Sequence, residues 1–358
     1  MLRRLARKPL FWIGFFYIFL WLAGSFAYLW IGHNDIPIAD LTYDSHGRIA
    51  ARPPYPPWQA PPLGADDFAR SIFIVVLIGA KFTLGFAILI AWLRAVLAGI
   101  IGIAFRLWIP KIGRLVLAPF ESLSYFPIAL LAFFILQWVL FQDARMHDNH
   151  FTYGFWARTW ITVAVLTLIA LPAAAQTFYN ETDHLMQKEF MESAKVLGGG
   201  RWHLFRNHLR PYLFPRFVLV FVREIIQVLL LMAHLGLFNL AIGGMLLKES
   251  LFSTQVPPKL YPYSLSNEWG GLIGAYWHFL WTTYPYLALI PIALVTLAIL
   301  SVKAVLLAVQ QVVEKDHEYP TPKPAGNVNP QLEKAPPSSS LPSEGEEAMF
   351  LPLENRHA

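Results

Sequence analysis

Apolar residues gather into six runs of bilayer length, separated by polar stretches of unequal size. The runs cover about Pro9–Ile31, Phe82–Ile103, Leu115–Phe141, Thr159–Phe178, Phe217–Leu240 and Tyr284–Val309. A helix rises about 1.5 Å per residue, so roughly 20 apolar residues cross a hydrocarbon layer of about 30 Å. The pattern predicts an all-α integral membrane protein with six transmembrane helices. Arg3, Arg4, Arg7 and Lys8 precede the first run, which is too long for a signal-peptide core and has no small-x-small cleavage site after it. Residues 1–31 are expected to be an uncleaved signal-anchor helix that starts in the cytoplasm. The stretch Phe68–Lys81, ahead of the second run, is expected at the membrane interface. Pro119 and Pro127 fall inside the third run, and Leu171-Pro172 predicts a kink in the fourth.

The polar stretches divide the chain further. Residues 32–67 form an extracytoplasmic loop whose P-P-Y-P-P-W-Q-A-P-P segment (Pro53–Pro62) favours a stiff, extended spacer. Residues 68–312 hold the transmembrane core. Residues 313–358 turn Pro/Ser/Glu-rich and are expected to be a disordered cytoplasmic tail. Asp183–Pro215 is the longest strongly polar passage between two long apolar runs, here called the handle. Asp183 can cap a first short helix, in which Met186, Phe190, Ala194 and Leu197 make one apolar stripe. Lys188, Glu192 and Lys195 are spaced for ion pairs on its polar face. Gly198 suits the left-handed residue that ends this helix, and Gly198–Gly200 form a hinge. Trp202, Phe205 and Leu209 make a second stripe beside Arg201, Arg206 and Arg210, and Pro211 is expected to end that helix.

Composition strengthens the membrane assignment: 56% of the 358 residues are hydrophobic and 14% charged, where soluble domains sit near a quarter. The positions of Lys and Arg set orientation. Segments 1–8, 106–114 and 179–216 hold 13 Lys/Arg in 55 residues, whereas 32–69, 142–158 and 239–281 hold 6 in 98. Basic residues concentrate on the cytoplasmic side, so both termini and the handle are expected there.

Chemistry is sparse. There is no cysteine, no phosphate-cradling G-x-x-x-x-G-K-[ST], no H-E-x-x-H and no G-x-S-x-G. His203 and His208 are five apart, off one α-helical face, and His147, Asp148 and His150 read as solvated loop residues; no metal site, nucleic-acid partner or catalytic group is expected. Arg94, Arg223, Glu224, Gln227 and His234 fall inside apolar runs, where polar groups are costly and line a path or pair within the bundle. Three readings stay open on these residues alone: a handle that docks a partner, a helix pair resting on anionic lipid, or a self-contained secondary carrier, membrane enzyme or non-transporting scaffold. Acids are scarce in the runs, Glu224 in the fifth and Glu121 in the third, and no acidic cluster is present, which disfavours a proton-coupled carrier.

The handle carries E-S-A-x-x-x-G at Glu192–Gly198, nine residues, then H-L-R-P at His208–Pro211. This resembles the EAA loop of ABC-importer permeases, E-A-A-x-x-x-G-x9-I-x-L-P, with Glu192, Ala194, Gly198 and Pro211 matching and Ser193 and Arg210 departing. Pro62–Arg70 (P-L-G-A-D-D-F-A-R), Gly79–Leu84, Trp269-Gly270 and Pro285 with Pro291 are similar, in order, to motifs of the second, C-type permease of the oligopeptide/dipeptide/nickel branch, except that Ala69 stands where that branch has Gly. The resemblance covers about residues 1–312. It implies a type I ABC-importer permease fold with N-in/C-in topology in a prokaryotic plasma membrane. It implies a transport subunit that is not itself an enzyme. The expected partners are cytoplasmic ABC ATPase subunits, a second homologous permease, an extracytoplasmic substrate-binding protein and the lipid bilayer. ATP would be bound by the ATPases and no cofactor by this chain. Glu192, Ser193, Ala194, Leu197, Gly198, Arg201 and Pro211 would form the coupling surface.

Overall fold

The computed structural model describes residues 2–43, 46, 49–123, 126–142, 151–196, 198, 200–249 and 260–317. After a one-turn helix at Leu2–Leu5, the main helices are α1 (Pro9–Ile31), α2 (Ile72–Trp108), α3 (Pro110–Leu123), α4 (Ile128–Leu140), α5 (Phe155–Met186), α6 (Glu189–Val196), α7 (Arg201–Leu237), α8 (Trp269–Tyr276) and α9 (Tyr286–His317). Five are long and apolar enough to cross a membrane: α1, α2, α5, α7 and α9.

The third predicted span departs from expectation. Pro127 ends the continuity, because it has no N–H to donate and biases its predecessor away from helix. The result is amphipathic α3 followed by α4, whose 13 residues reach only about 20 Å. Residues expected at the interface, up to Lys81, instead begin α2. Ile72, Val75, Val76 and Ile78 are buried, and Trp269 seals this end through Nε1–H to the Val76 carbonyl at 2.8 Å. A π-helical turn at Lys81–Gly85 joins the two parts of α2. Pro172 lies inside the uninterrupted α5. Helix α9 runs past the expected tail boundary to His317; the rest of the tail lies outside the described residues, as do His147, Asp148 and His150.

Helix α2 packs along α5 and α7, and α7 packs on α8. Their shared core draws on Ile90, Leu136, Leu166, Val228 and Trp269, among others. At Gly236, Gly270 and Gly274 the backbones of α7 and α8 approach so closely that a Cβ on any of them would strike the other helix's carbonyl oxygen. Two small sheets accompany the helices: an antiparallel β1–β2 ribbon (Thr42–Tyr43, Ile49–Ala51), and β3 (Phe141–Gln142) parallel to β4 (Met245–Glu249), which pairs antiparallel with β5 (Leu260–Ser264); Met245 of β4 joins the main core.

The helix ends define two faces. Leu5 packs with Ala308, Val309, Val312 and Val313, near Val218 and Leu219. Lys8 Nζ donates to Gln311 Oε1 at 2.9 Å, and Arg106 bonds Asp183. The N-terminal turn, the handle and the end of α9 therefore share one face.

Candidate functional site

The handle is built by overshoot. Asp183 does not cap a new helix; it sits in the last turns of α5, held by the Arg106 guanidinium and by Gln187 Nε2 at 3.0 Å. The chain then turns and starts α6 at Glu189. Acidic Glu189 and Glu192 lie in the first turn of α6 and Lys195 in its last, matching the helix dipole. Met191 and Ala194 face inward onto Leu107, Leu185, Leu204, Leu209 and Leu213, with Met186 and Phe190 partly covered. Ala194, at 8% exposure, belongs to the handle's own core. Glu192, Ser193 and Lys195 lie on the free face, and Val196 is 88% exposed. Lys195 Nζ bonds the Met186 carbonyl at 3.1 Å rather than Glu192. Among the described residues the expected Lys188–Glu192–Lys195 ion pairs do not form. Gly198 has φ +83, a conformation costly for residues with a Cβ, and its N–H returns to the Lys195 carbonyl at 3.0 Å. Leu197 lies outside the described residues.

The second half of the handle is not a separate short helix. Arg201–Leu237 is one continuous helix, and Pro211 does not end it. The turn before Pro211 widens into a π segment, Leu204–Leu209, which replaces the hydrogen-bond register that proline would break. The widened turn also shifts the inward face. Leu204 and Leu209 are buried and Trp202 is exposed, so the expected Trp202–Phe205–Leu209 stripe forms only in part: Trp202 and Phe205 keep ring contact at 5.5 Å, while Leu209 turns into the handle's core. It sets His203 and His208 side by side, ring centroids 5.9 Å apart, which α-helical spacing would not do. Arg201 Nη1 bonds the Trp108 carbonyl at 3.3 Å, tying the start of α7 to the end of α2.

The five polar residues expected to line a path converge. Arg94, Arg223, Glu224, Gln227 and His234 all line one cavity of about 770 Å³, bounded also by Pro127, Ala170, Thr177 and Phe238. Arg94 is 1% exposed. It pairs with Glu224 at 3.2 Å and donates from Nε (2.9 Å) and Nη2 to the Leu166 carbonyl. Buried charges persist when paired and hydrogen-bonded in this way. Arg94 is thus both an internally satisfied charge and part of the cavity wall.

A third cluster joins residues that local sequence does not connect. Asp66, fully buried, accepts from Phe68 N–H (3.0 Å), Arg70 N–H (2.8 Å), Arg70 Nε (2.8 Å) and the Tyr276 hydroxyl (2.8 Å). Arg70 reaches on to Asn267 Oδ1 at 2.9 Å and stacks 4.3 Å over Tyr263. Glu268 caps α8 by accepting from Gly270 and Gly271 N–H. Burial, helped by neighbouring Asp66, pushes the Asp67 carboxyl up to about 7. Burial likewise pushes Glu268 to about 7, against the pull of its backbone donors. The signal was available: P-L-G-A-D-D-F-A-R and W-G are the two sequence pieces that this cluster joins. Ala69 adopts φ +61, a region that favours glycine, so the departure at this position has a local cost.

Residues 95–317 match the family described as binding-protein-dependent transport system inner membrane component, more than half of the chain. A protein named as a candidate peptide transport system permease in Brucella suis is 25% identical over 209 residues, 58% of this chain and 62% of that one. A related Brucella abortus protein is 25% identical over 148 residues, covering 41% and 44%. A protein named as a glutathione transport system permease in Pectobacterium atrosepticum is 23% identical over 208 residues, covering 57% and 62%. The chain thus matches less than two-thirds of the length of each of these relatives. The family match takes in the handle and every cavity residue except Arg94, and the apolar helices give it a membrane to sit in; the chain belongs to the binding-protein-dependent transport system inner membrane components, as a multi-pass protein of the prokaryotic plasma membrane.

Proposed function

We propose that this chain is a translocation subunit of an ATP-driven importer for peptides or similar small solutes. It would work beside a second permease, with cytoplasmic ATPases hydrolysing ATP and an extracytoplasmic binding protein delivering cargo. The face that carries the N-terminal turn, the handle and the end of α9 is cytoplasmic in this reading. The excess of Lys and Arg on its segments supports that orientation. The observation that carries the proposal is the handle itself, a short helix inside the matched family region that presents Glu192, Ser193, Lys195 and Val196 outward. Met191 and Ala194 anchor this helix in a core shared with α2, α5 and α7. A push on α6 would therefore reach three membrane helices through packed side chains, and such a shift can drive alternating access.

Glu192→Lys reverses a charge on the free face, and Gly198→Pro forbids the observed positive φ. Both variants are expected to insert normally while losing ATPase co-purification or stimulation of ATP hydrolysis by the reconstituted complex. Thr296→Ala, on α9 away from the handle, removes only a local bond to the Ile292 carbonyl and is the silent control. Normal co-purification and normal hydrolysis in both test variants would remove the handle from the mechanism.

A further inference from the structure

One face of α7 carries three polar side chains that the fold does not use. Arg223, Gln227 and His234 are exposed, line the 770 Å³ cavity, and make no hydrogen bond or ion pair among the described residues. At 3.6 residues per turn, Gln227 lies about 40° and His234 about 20° from the line through Arg223, so the three form one stripe about 16 Å long. The cavity's other ionised groups cancel: Arg94 is paired with Glu224 and further held by the Leu166 carbonyl. Arg223, whose charge also reaches the adjacent Glu224 carboxylate, leaves a largely apolar chamber (Ile128, Leu130, Ala173, Val220 and Leu231 also line it) with one net positive charge. Ionisable groups within membrane helices mark substrate paths.

We infer that the cavity is an anion-selective subsite, in which Arg223 receives a carboxylate of the solute. Gln227, one turn or about 6 Å further along, meets an amide group of the chain behind that carboxylate. The spacing suits a short peptide: an extended chain advances about 3.3–3.6 Å per residue, so a C-terminal carboxylate on Arg223 brings the second peptide unit back, about two residues away, near the Gln227 amide. A guanidinium presents a fork of donors that matches a carboxylate with two bonds. The volume lies within the range of small-molecule sites. This inference rests on reading the chain as an importer permease and adds the charge of the group it admits.

The chain has no cysteine, so Gln227→Cys gives a single thiol beside Arg223. In membranes carrying the full transporter, its labelling rate is measured with an anionic sulfonatoethyl and a cationic trimethylammonioethyl methanethiosulfonate. In water-filled space, a unit charge about 6 Å away favours one reagent and opposes the other enough to change their rate ratio by about tenfold. The anionic reagent is expected to be preferred by that factor, and the preference to vanish with Arg223→Gln. Trialanine should slow labelling, and its C-terminal amide should not. Leu230→Cys, on the same wall, serves if the first variant fails to accumulate. An unchanged ratio after Arg223→Gln, equal protection by acid and amide, or no labelling would each overturn the inference. Because labelling needs no ATP hydrolysis, failure of handle coupling with this selectivity intact would count only against the importer reading.

Discussion

Removing Glu224 should harm the protein more than removing Glu224 and Arg94 together. The two are 3.2 Å apart and almost fully buried. At that separation, with an effective dielectric of about 20, their attraction is about 5 kcal/mol. Desolvation of two buried ions costs several kcal/mol each, so the pair as a whole comes near to breaking even. Glu224→Leu removes the attraction and leaves the desolvation of Arg94, which keeps only the Leu166 carbonyl. The expected loss is about 3–5 kcal/mol. Arg94→Met with Glu224→Leu removes both costs, and the double variant should stand within about 1.5 kcal/mol of the parent. Unfolding by sodium dodecyl sulfate in mixed micelles, followed by tryptophan fluorescence, measures both differences. Equal destabilisation by the single and double changes, or a neutral Glu224→Leu, would refute the argument that the pair is a mutual neutralisation.

The other predictions concern packing, strain and pH. Gly274→Ala places a methyl group on the Gly236 carbonyl, where backbone must move; a loss above about 3 kcal/mol is expected, while Gly85→Ala, with open space around it, should be tolerated. Ala69→Val should cost more than about 2 kcal/mol because a β-branched residue at φ +61 is strained, whereas Ala69→Gly should match or exceed the parent in thermal melting. The folded protein holds a proton on Asp67 up to about pH 7, where the unfolded chain has released it above about pH 4. The unfolded state then binds fewer protons across that window, so this group makes stability fall as pH rises from 4 to 7 and level off above. Melting curves of the parent and Asp67→Asn should diverge in favour of the variant over that interval, and parallel curves would contradict the assignment.

Much of this architecture could be read from the residues, for identifiable reasons. Apolar run length reports membrane helices directly, and the handle stood out because charge is scarce elsewhere. The ordered motifs resembled the family that the match over 95–317 then established. What escaped depends on partners distant in sequence. Ile72–Lys81 looked interfacial because nothing local shows that Trp269, 193 positions from Val76, covers it. Pro211 read as a helix stop because a π turn is a tertiary compromise, invisible to a 3.6-residue template. The third run read as a single span, although Pro127 was in view, because composition alone does not say when neighbours satisfy a broken helix. The five polar residues expected to line a path were each visible, but their convergence on one cavity required α2 and α7 side by side. The Asp66–Arg70–Tyr276 cluster joins residues 210 apart, and only its two sequence pieces could be seen.

Coupling depends on what the free face of α6 touches. A photoreactive benzoylphenylalanine at Val196, 88% exposed on that face, should cross-link to an ATPase subunit in intact membranes, with a yield that changes when a non-hydrolysable ATP analogue is added. The same residue at Trp138, 85% exposed on α4, should give no ATPase adduct. An ATPase adduct at Trp138 instead of Val196, or none at Val196 in membranes that hold the assembled complex, would contradict the account.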